Sequence, residues 1–251
     1  MHKLKKFFFI ASLFGIAILF GAGFYLYQIN NNFQEFEDNF QKATRDIEKQ
    51  ATNPESLINL KINNDVYLKG DYEKIELLIK NHLQRSLEFE NSYRQQKNNM
   101  NYNHLFTVDY LEKDPSLIEA HSILEHAELL VSKMYESKSE RSAKLMVDAN
   151  QIELSTHKKT AQFHQNFDKF FSQYVKYQEQ VLVLEKQNLA AKRNMLHFLE
   201  TTEWTIKNHQ LIFAYSNDSQ QFQYLENEIK RTHLERVRMH GEILRSFLTI
   251  Y

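Results

Sequence analysis

The sequence predicts an all-α protein: an N-terminal single transmembrane helix followed by an extracytoplasmic bundle of long helices with coiled-coil-like packing. Three observations predict it. The 251 residues include only five Gly and two Pro, and Gly15, Gly21 and Gly23 fall in the opening apolar stretch, so little in the rest of the chain ends a helix. Phe7 to Tyr27 carries no charge. From Phe163 to Phe198 apolar residues recur in steps of four and three over five heptads.

Phe7 to Tyr27 is 21 residues long, which as a helix at about 1.5 Å per residue matches the hydrocarbon thickness of a bilayer. Twelve of these positions are Phe, Ile or Leu, and at ~0.3–0.6 kcal/mol each they favour insertion by roughly 4–7 kcal/mol. Lys3, Lys5 and Lys6 precede the run, and no Lys or Arg follows it before Lys42. That asymmetry keeps residues 1–6 in the cytoplasm and puts residues 28–251 on the far side. Tyr25 and Tyr27 stand where an aromatic belt meets the far headgroups. Gly21 and Gly23 have the spacing of a signal-peptidase site, which is the rival reading, with cleavage after Gly23. The apolar stretch continues through Phe24 to Tyr27, longer than a signal core, and favours an uncleaved anchor. The expected location is the bacterial inner (cytoplasmic) membrane, single-pass, with the bulk of the chain periplasmic.

Beyond the anchor, Phe33, Phe36, Phe40, Ala43 and Ile47 form one helical stripe that Asn53-Pro54 ends. Residues 57–70 read either as a small hairpin or as a short helix and loop. Asp71 is expected to cap a helix carrying Ile75, Leu78, Ile79, Leu83, Phe89 and Tyr93. Residues 98–114, Asn-rich at first, are expected to form a loop, and Asp114-Pro115 a cap with proline at the first helical position. The helix that follows carries Leu117, Leu124, Val131, Leu145 and Ile152; Lys138 interrupts this ladder, and Ser137 with Glu140 has capping-box spacing, so a break is expected there.

The strongest periodic run is Phe163, Phe167, Phe170, Tyr174, Tyr177, Val181, Leu184, Asn188, Ala191, Met195 and Phe198. Val175, Leu182, Leu189 and Leu196 widen its stripe beyond a two-stranded seam, which predicts several helical neighbours. Asn188 reads either as a register-setting polar residue or as a partly wet site at the bundle edge. Whether the helix continues from 157 to 215 stays open. Ser216 to Ser219 is expected to turn into a last helix with Phe222, Leu225, Ile229, Val237, Leu244, Phe247 and Tyr251. Lys230, Arg231, Arg236, Arg238 and Arg245 are placed on its exposed side against Glu235 and Glu242, a local net of +3.

Composition excludes several functions. The chain carries 31 basic and 32 acidic residues; without Lys3, Lys5 and Lys6 the balance from Gln28 onward is 28 against 32, so no nucleic-acid partner is expected. Zero cysteines exclude disulfides, thiol catalysis and cysteine-ligated metal. No phosphate loop, dinucleotide fingerprint, nucleophile elbow or HExxH helix occurs, so no catalytic, cofactor or metal residues are assigned and no enzyme is expected. Among the 11 histidines, His121 with Glu125 and Glu128 shares a helix face, and His157 with His164 and His233 with His240 are seven apart. None has the Glu-x-x-His pairing of a dimetal bundle, and a solvated stripe is the favoured reading of the first trio. The 19 Phe and 13 Tyr read as core fillers, with an apolar ligand pocket as the functional alternative. Asn217-Asp218-Ser219 is an N-glycosylation triplet.

The expected function is a membrane-anchored extracytoplasmic scaffold or adaptor that contacts the bilayer through residues 7–27 and binds a protein partner in the cell envelope. Two alternatives stand beside it: a ligand- or stress-sensing bundle that signals through a membrane partner, and an immunity or exclusion protein against an envelope-acting toxin. Ala11 with Gly15 and Ala17 with Gly21 have small-xxx-small spacing, so a homo-oligomer through the membrane helix or the bundle is allowed.

Overall fold

The computed structural model describes residues 65–246, together with Gln34, Glu35, Glu37, Asp38 and Lys42, which are helical. The expected anchor at Phe7 to Tyr27, the Asn53-Pro54 stop and residues 57–64 of the possible hairpin lie outside the described residues. Among the described residues no helix is long and apolar enough to cross a membrane.

Four long helices make an up-down-up-down bundle: α1 (Asp71–Asn99), α3 (Ile118–Asn150), α4 (His157–Thr201) and α5 (Ser216–Ser246), with a short α2 (Val108–Lys113) between α1 and α3. The all-α expectation holds, as do the several neighbours of α4. Leu182, Leu189 and Leu196, which widen the stripe, are buried like the ladder residues Phe163, Phe167, Phe170, Tyr174, Val181 and Met195. Rings follow one another along α4, with centroids 5.8 Å apart for Phe163–Phe167, 5.6 Å for Phe167–Phe170 and 5.7 Å for Phe170–Tyr174. Each such side chain withdraws a large apolar area from water.

Several boundaries differ from the sequence expectation. Residues 65–69 are neither helix nor strand, and Gly70, at φ 65°, turns the chain into α1. A side chain would be strained in that left-handed conformation. Asp71 makes no cap. Its carboxylate reaches across the bundle end to accept from Ser155 N and Ser155 Oγ, each at 2.6 Å, and from Lys159 Nζ at 2.8 Å. The expected loop at 98–114 holds a 3-10 turn (Tyr102–His104) as well as α2, because Tyr102, Leu105, Tyr110 and Leu111 have a core to enter.

Pro115 does not begin α3. The Leu117 N–H donates to the Asp114 carbonyl at 3.0 Å and closes a turn, and Leu117, at φ 59°, is driven into the core, so the helix starts at Ile118. Asp114 still caps it at longer range, accepting from Ala120 N at 2.9 Å. The expected break near Lys138 is absent. The helix runs unbroken from Ile118 to Asn150, and Lys138 is turned inward to a polar environment.

The helix from His157 ends at Thr201, so the open question of the 157–215 stretch resolves into a helix and a hairpin. Trp204–Lys207 (β1) pairs antiparallel with Gln210–Phe213 (β2) around Asn208 and His209, at φ 52° and 55°. Two consecutive left-handed residues make the tight turn whose twist suits a two-residue hairpin. Trp204, Ile206, Leu211 and Phe213 alternate inward onto the core, and the Trp204 indole N–H caps α4 by donating to the Leu199 carbonyl at 2.8 Å. Ser216 to Ser219 forms the first turn of α5 rather than a preceding loop.

The apolar core falls into two halves. One, near the start of α1 and α4, gathers Ile79, Leu83, Leu145, Phe167, Tyr174 and Val237 among others. The other, near the hairpin, gathers Leu105, Leu124, Ala127, Leu196, Leu199 and Leu225 among others. Between them Tyr93, Val131, Met134 and Leu182 form a small apolar cluster with Phe89 and Leu130 packed against it. The rest of the middle is polar.

Candidate functional site

On each long helix a charged side chain stands on the same four-three ladder as its apolar neighbours. In α4 the row is Val181, Glu185, Asn188, Lys192, Met195; in α5 it is Leu225, Ile229, Thr232, Arg236, Met239; in α3 it is Val131, Met134, Lys138; and in α1 Leu83, Leu87, Glu90 and Lys97 follow suit. Helical geometry therefore carries these charges inward whenever the ladder packs. Glu90, Lys97, Lys138, Glu185, Asn188, Lys192, Thr232 and Arg236 are all buried.

Glu185 is the hub. Its two oxygens meet Arg236 Nη1 from α5 and, at 3.2 Å, Lys97 Nζ from α1. Burial alone would raise this carboxyl, yet Arg236 and Lys97 hold it down at about 2. Glu90 lies 3.1 Å from Arg94 Nε, 3.7 Å from Arg236 Nη1 and 3.7 Å from His240 Nε2. Burial drives the His240 imidazole to about 3 against the pull of Glu90, so it is neutral there. Lys138 Nζ has no hydrogen-bond partner, and burial lowers it to about 8. Ion pairs of the layer join α1, α4 and α5, α3 contributes Lys138, and four buried cations face two buried carboxylates. A buried charge without a partner costs several kcal/mol.

Beside this layer, toward the hairpin end, a cavity of about 270 Å³ opens between α4, α5 and the segment after the 3-10 turn. Asn188, Lys192 and His233 line it together with Asn103, Thr107, Glu226 and Lys230; Phe106, Met195, Phe222 and Ile229 are apolar walls. Asn188 is fully committed. Its amide donates to the Ile229 carbonyl at 2.9 Å and to Thr232 Oγ1 at 2.8 Å, and its carbonyl accepts from Tyr102 Oη at 3.2 Å. The register-setting reading of Asn188 fits these bonds better than a wet edge.

Lys192 donates to the Tyr102 carbonyl at 2.8 Å and lies 4.3 Å from the Tyr102 ring centroid. Among the described residues it forms no ion pair. Burial, reinforced by the nearby Lys97 charge, lowers its ammonium to about 7. His233 Nε2 is buried without a hydrogen-bond partner, and burial together with Arg236 and Lys97 lowers that imidazole to about 4. The site is thus a cavity with a cationic, under-satisfied inner wall.

The other residues singled out from the sequence lie elsewhere. His121 pairs with Glu200, and Glu128 with Arg193; with Glu125 all three stay on the exposed face of α3. His157 is exposed, and His164 is half-buried against Phe163 with ring centroids 5.5 Å apart. His233 and His240 do share an inward face of α5, one at the cavity and one at Glu90. Arg236, expected on the exposed basic side of that helix, is buried instead, because Glu185 and Glu90 supply the charge it needs. The glycosylation triplet lies in the first turn of α5. Asp109, Glu112 and His209 bring three donor atoms within 4.8 Å of one another at the surface, where His209 Nδ1 lies 3.3 Å from Glu112 and ties the hairpin to α2.

Glu90, Lys97, Glu185 and Lys192 were not found from the sequence. The available signal was a charged residue recurring at core positions of every long helix, a pattern that shows only when the four ladders are laid side by side. No protein-family model, no curated protein and no solved structure matches the chain, so geometry carries the functional reading.

Proposed function

We propose that this chain is a tethered extracytoplasmic helical bundle that senses a small ligand and passes its occupancy to a protein partner in the membrane. One observation carries the reading: the cavity's inner wall adjoins a polar layer whose ion pairs tie α1, α4 and α5 together, so a bound group acts on the packing of these helices. The role needs no turnover of a substrate. The tether is Phe7 to Tyr27, supported by its uncharged length and by the lysines before it. The test uses the full chain in phosphatidylcholine vesicles, with thermal unfolding followed through Trp204, the one tryptophan, against panels of small metabolites and lipids. A ligand at a hundred times its Kd stabilises by about 2.7 kcal/mol; a flat response across the panels rejects sensing. A reporter enzyme fused after Tyr251 is expected to act outside the cytoplasm, and activity only inside the cell rejects the orientation.

The adaptor reading is favoured by a different feature. Ile118, Leu129 and Val147, exposed at 73%, 61% and 54%, are 11 and 18 residues apart on α3, which is close to three and five whole turns and puts them on one outer line. Such a line suits a partner helix. Crosslinking in native membranes is expected to capture one dominant protein, and Leu129→Glu to abolish that capture; unchanged capture by the variant removes this surface from consideration.

A further inference from the structure

We propose that the cavity binds an amphipathic monocarboxylate, its headgroup on Lys192 and His233 and its hydrocarbon part against Phe106, Met195, Phe222 and Ile229. The proposal rests on the ligand-sensing reading above and names the chemical class that the site takes. The donor inventory is its first support. An ammonium has three N–H bonds, and among the described residues the Tyr102 carbonyl takes one from Lys192. The other two have no protein acceptor, although the residue is only 4% exposed. His233 adds a buried ring nitrogen with no partner on the same lining. Asn188 contributes shape alone, since its amide and carbonyl are already bonded to Ile229, Thr232 and Tyr102.

Charge is the second support. The buried layer holds four cations and two carboxylates, and both carboxylates are engaged by Arg94, Arg236 or Lys97. Lys192 is the excess cation that reaches the cavity. At the rim, Glu226 is paired with Lys230 at 3.0 Å, so its carboxylate does not oppose an entering anion. One contacting ammonium and one unpartnered ring nitrogen match the two oxygens of a single carboxylate. Phe106, Met195, Phe222 and Ile229 supply apolar walls that withdraw a hydrocarbon tail from water.

The test measures uptake of labelled octanoate and octanol by the full chain in phosphatidylcholine vesicles, with uptake by protein-free vesicles subtracted. Octanoate is expected to bind at least ten-fold more tightly than octanol, and Lys192→Met to erase that preference while leaving the Trp204 unfolding transition cooperative. The wild-type comparison needs no variant, so it stands even if Lys192→Met fails to fold. Equal binding of the acid and the alcohol, or a preference that survives in Lys192→Met, overturns the carboxylate assignment. The assignment also falls if octanoate does not bind while an uncharged molecule from the metabolite and lipid panels stabilises the chain, an outcome that leaves ligand sensing intact. Only a flat response to every molecule removes both.

Discussion

Lys80 and Lys192 occupy nearly the same surroundings at opposite ends of the bundle. Each is buried, each donates to a backbone carbonyl, of Asp65 and of Tyr102 respectively, and each lies over a tyrosine ring, at 4.6 Å from Tyr67 and 4.3 Å from Tyr102. The difference is one carboxylate. Glu76, one turn before Lys80, sits 2.6 Å from its ammonium and also accepts from Tyr67 N at 3.0 Å and Leu68 N at 2.7 Å. No carboxylate pairs with Lys192 among the described residues, and it is Lys192 that borders a cavity. A buried charge that is locally satisfied fastens a chain segment; one left under-satisfied beside open space is a recognition element at the expense of stability.

The contrast can be broken from either side, and the two sides have opposite signs. Glu76→Gln removes the carboxylate beside Lys80 and weakens the hold on Tyr67 and Leu68, with an expected loss of about 3–5 kcal/mol in urea unfolding followed through Trp204. Lys192→Met replaces an unpaired charge by an apolar side chain of similar length and is expected to be neutral or to stabilise by up to about 4 kcal/mol. A loss of stability as large as that of Glu76→Gln would show that Lys192 is a structural residue like Lys80. Asn188→Leu belongs between them. It strands the buried Tyr102 hydroxyl, while the Ile229 carbonyl keeps the Thr232 hydroxyl, for an expected loss of about 1–3 kcal/mol in the same measurement.

Acidity sharpens the comparison further. The Lys192 ammonium is lowered to about 7 in the folded chain by burial and by Lys97, whereas in the unfolded chain it titrates near ~10.4. Between these values the unfolded state holds the extra proton, so the contribution of Lys192 to folded stability rises with pH from about 7 toward 10. The charged and titratable groups facing it are Lys97 from α1, Tyr102 from the 3-10 turn, Glu185 from α4, and Glu226, Lys230 and His233 from α5. The stability of wild type minus that of Lys192→Met is expected to increase over this window; a constant difference shows that Lys192 is charged throughout. The smallest effect marks the floor of the series. The exposed pair Lys144–Asp148 spans one turn of α3 at 3.1 Å, and Lys144→Gln is expected to change unfolding by about 0.3 kcal/mol.

Much of the architecture was legible because apolar spacing on a helix is a local property. The stripe from Phe163 to Met195 and the widening at Leu182, Leu189 and Leu196 identify a bundle helix before any partner is known. The hairpin was missed because Asn208-His209 lacks the glycine that usually marks a two-residue turn, and its strands are four residues each. Lys138 misled for another reason. A charge on a ladder signals a break in a single helix, yet here Glu90 lies in the same buried layer and helps hold its charge. The candidate site was less legible still. Glu185 and Arg236 are 51 residues apart and Lys97 and Glu185 are 88 apart, and nothing local distinguishes a buried lysine from a solvated one.

Periodicity, the scarcity of Gly and Pro and the 21 uncharged residues at the start follow from nearest-neighbour chemistry, so a helical chain with long amphipathic elements was readable from the order of residues alone. Which charges meet in the core, which lysine keeps a partner and where a cavity opens depend on the relative register of four helices. Burial and distance act between residues far apart in sequence, and those quantities came into being only when the helices packed.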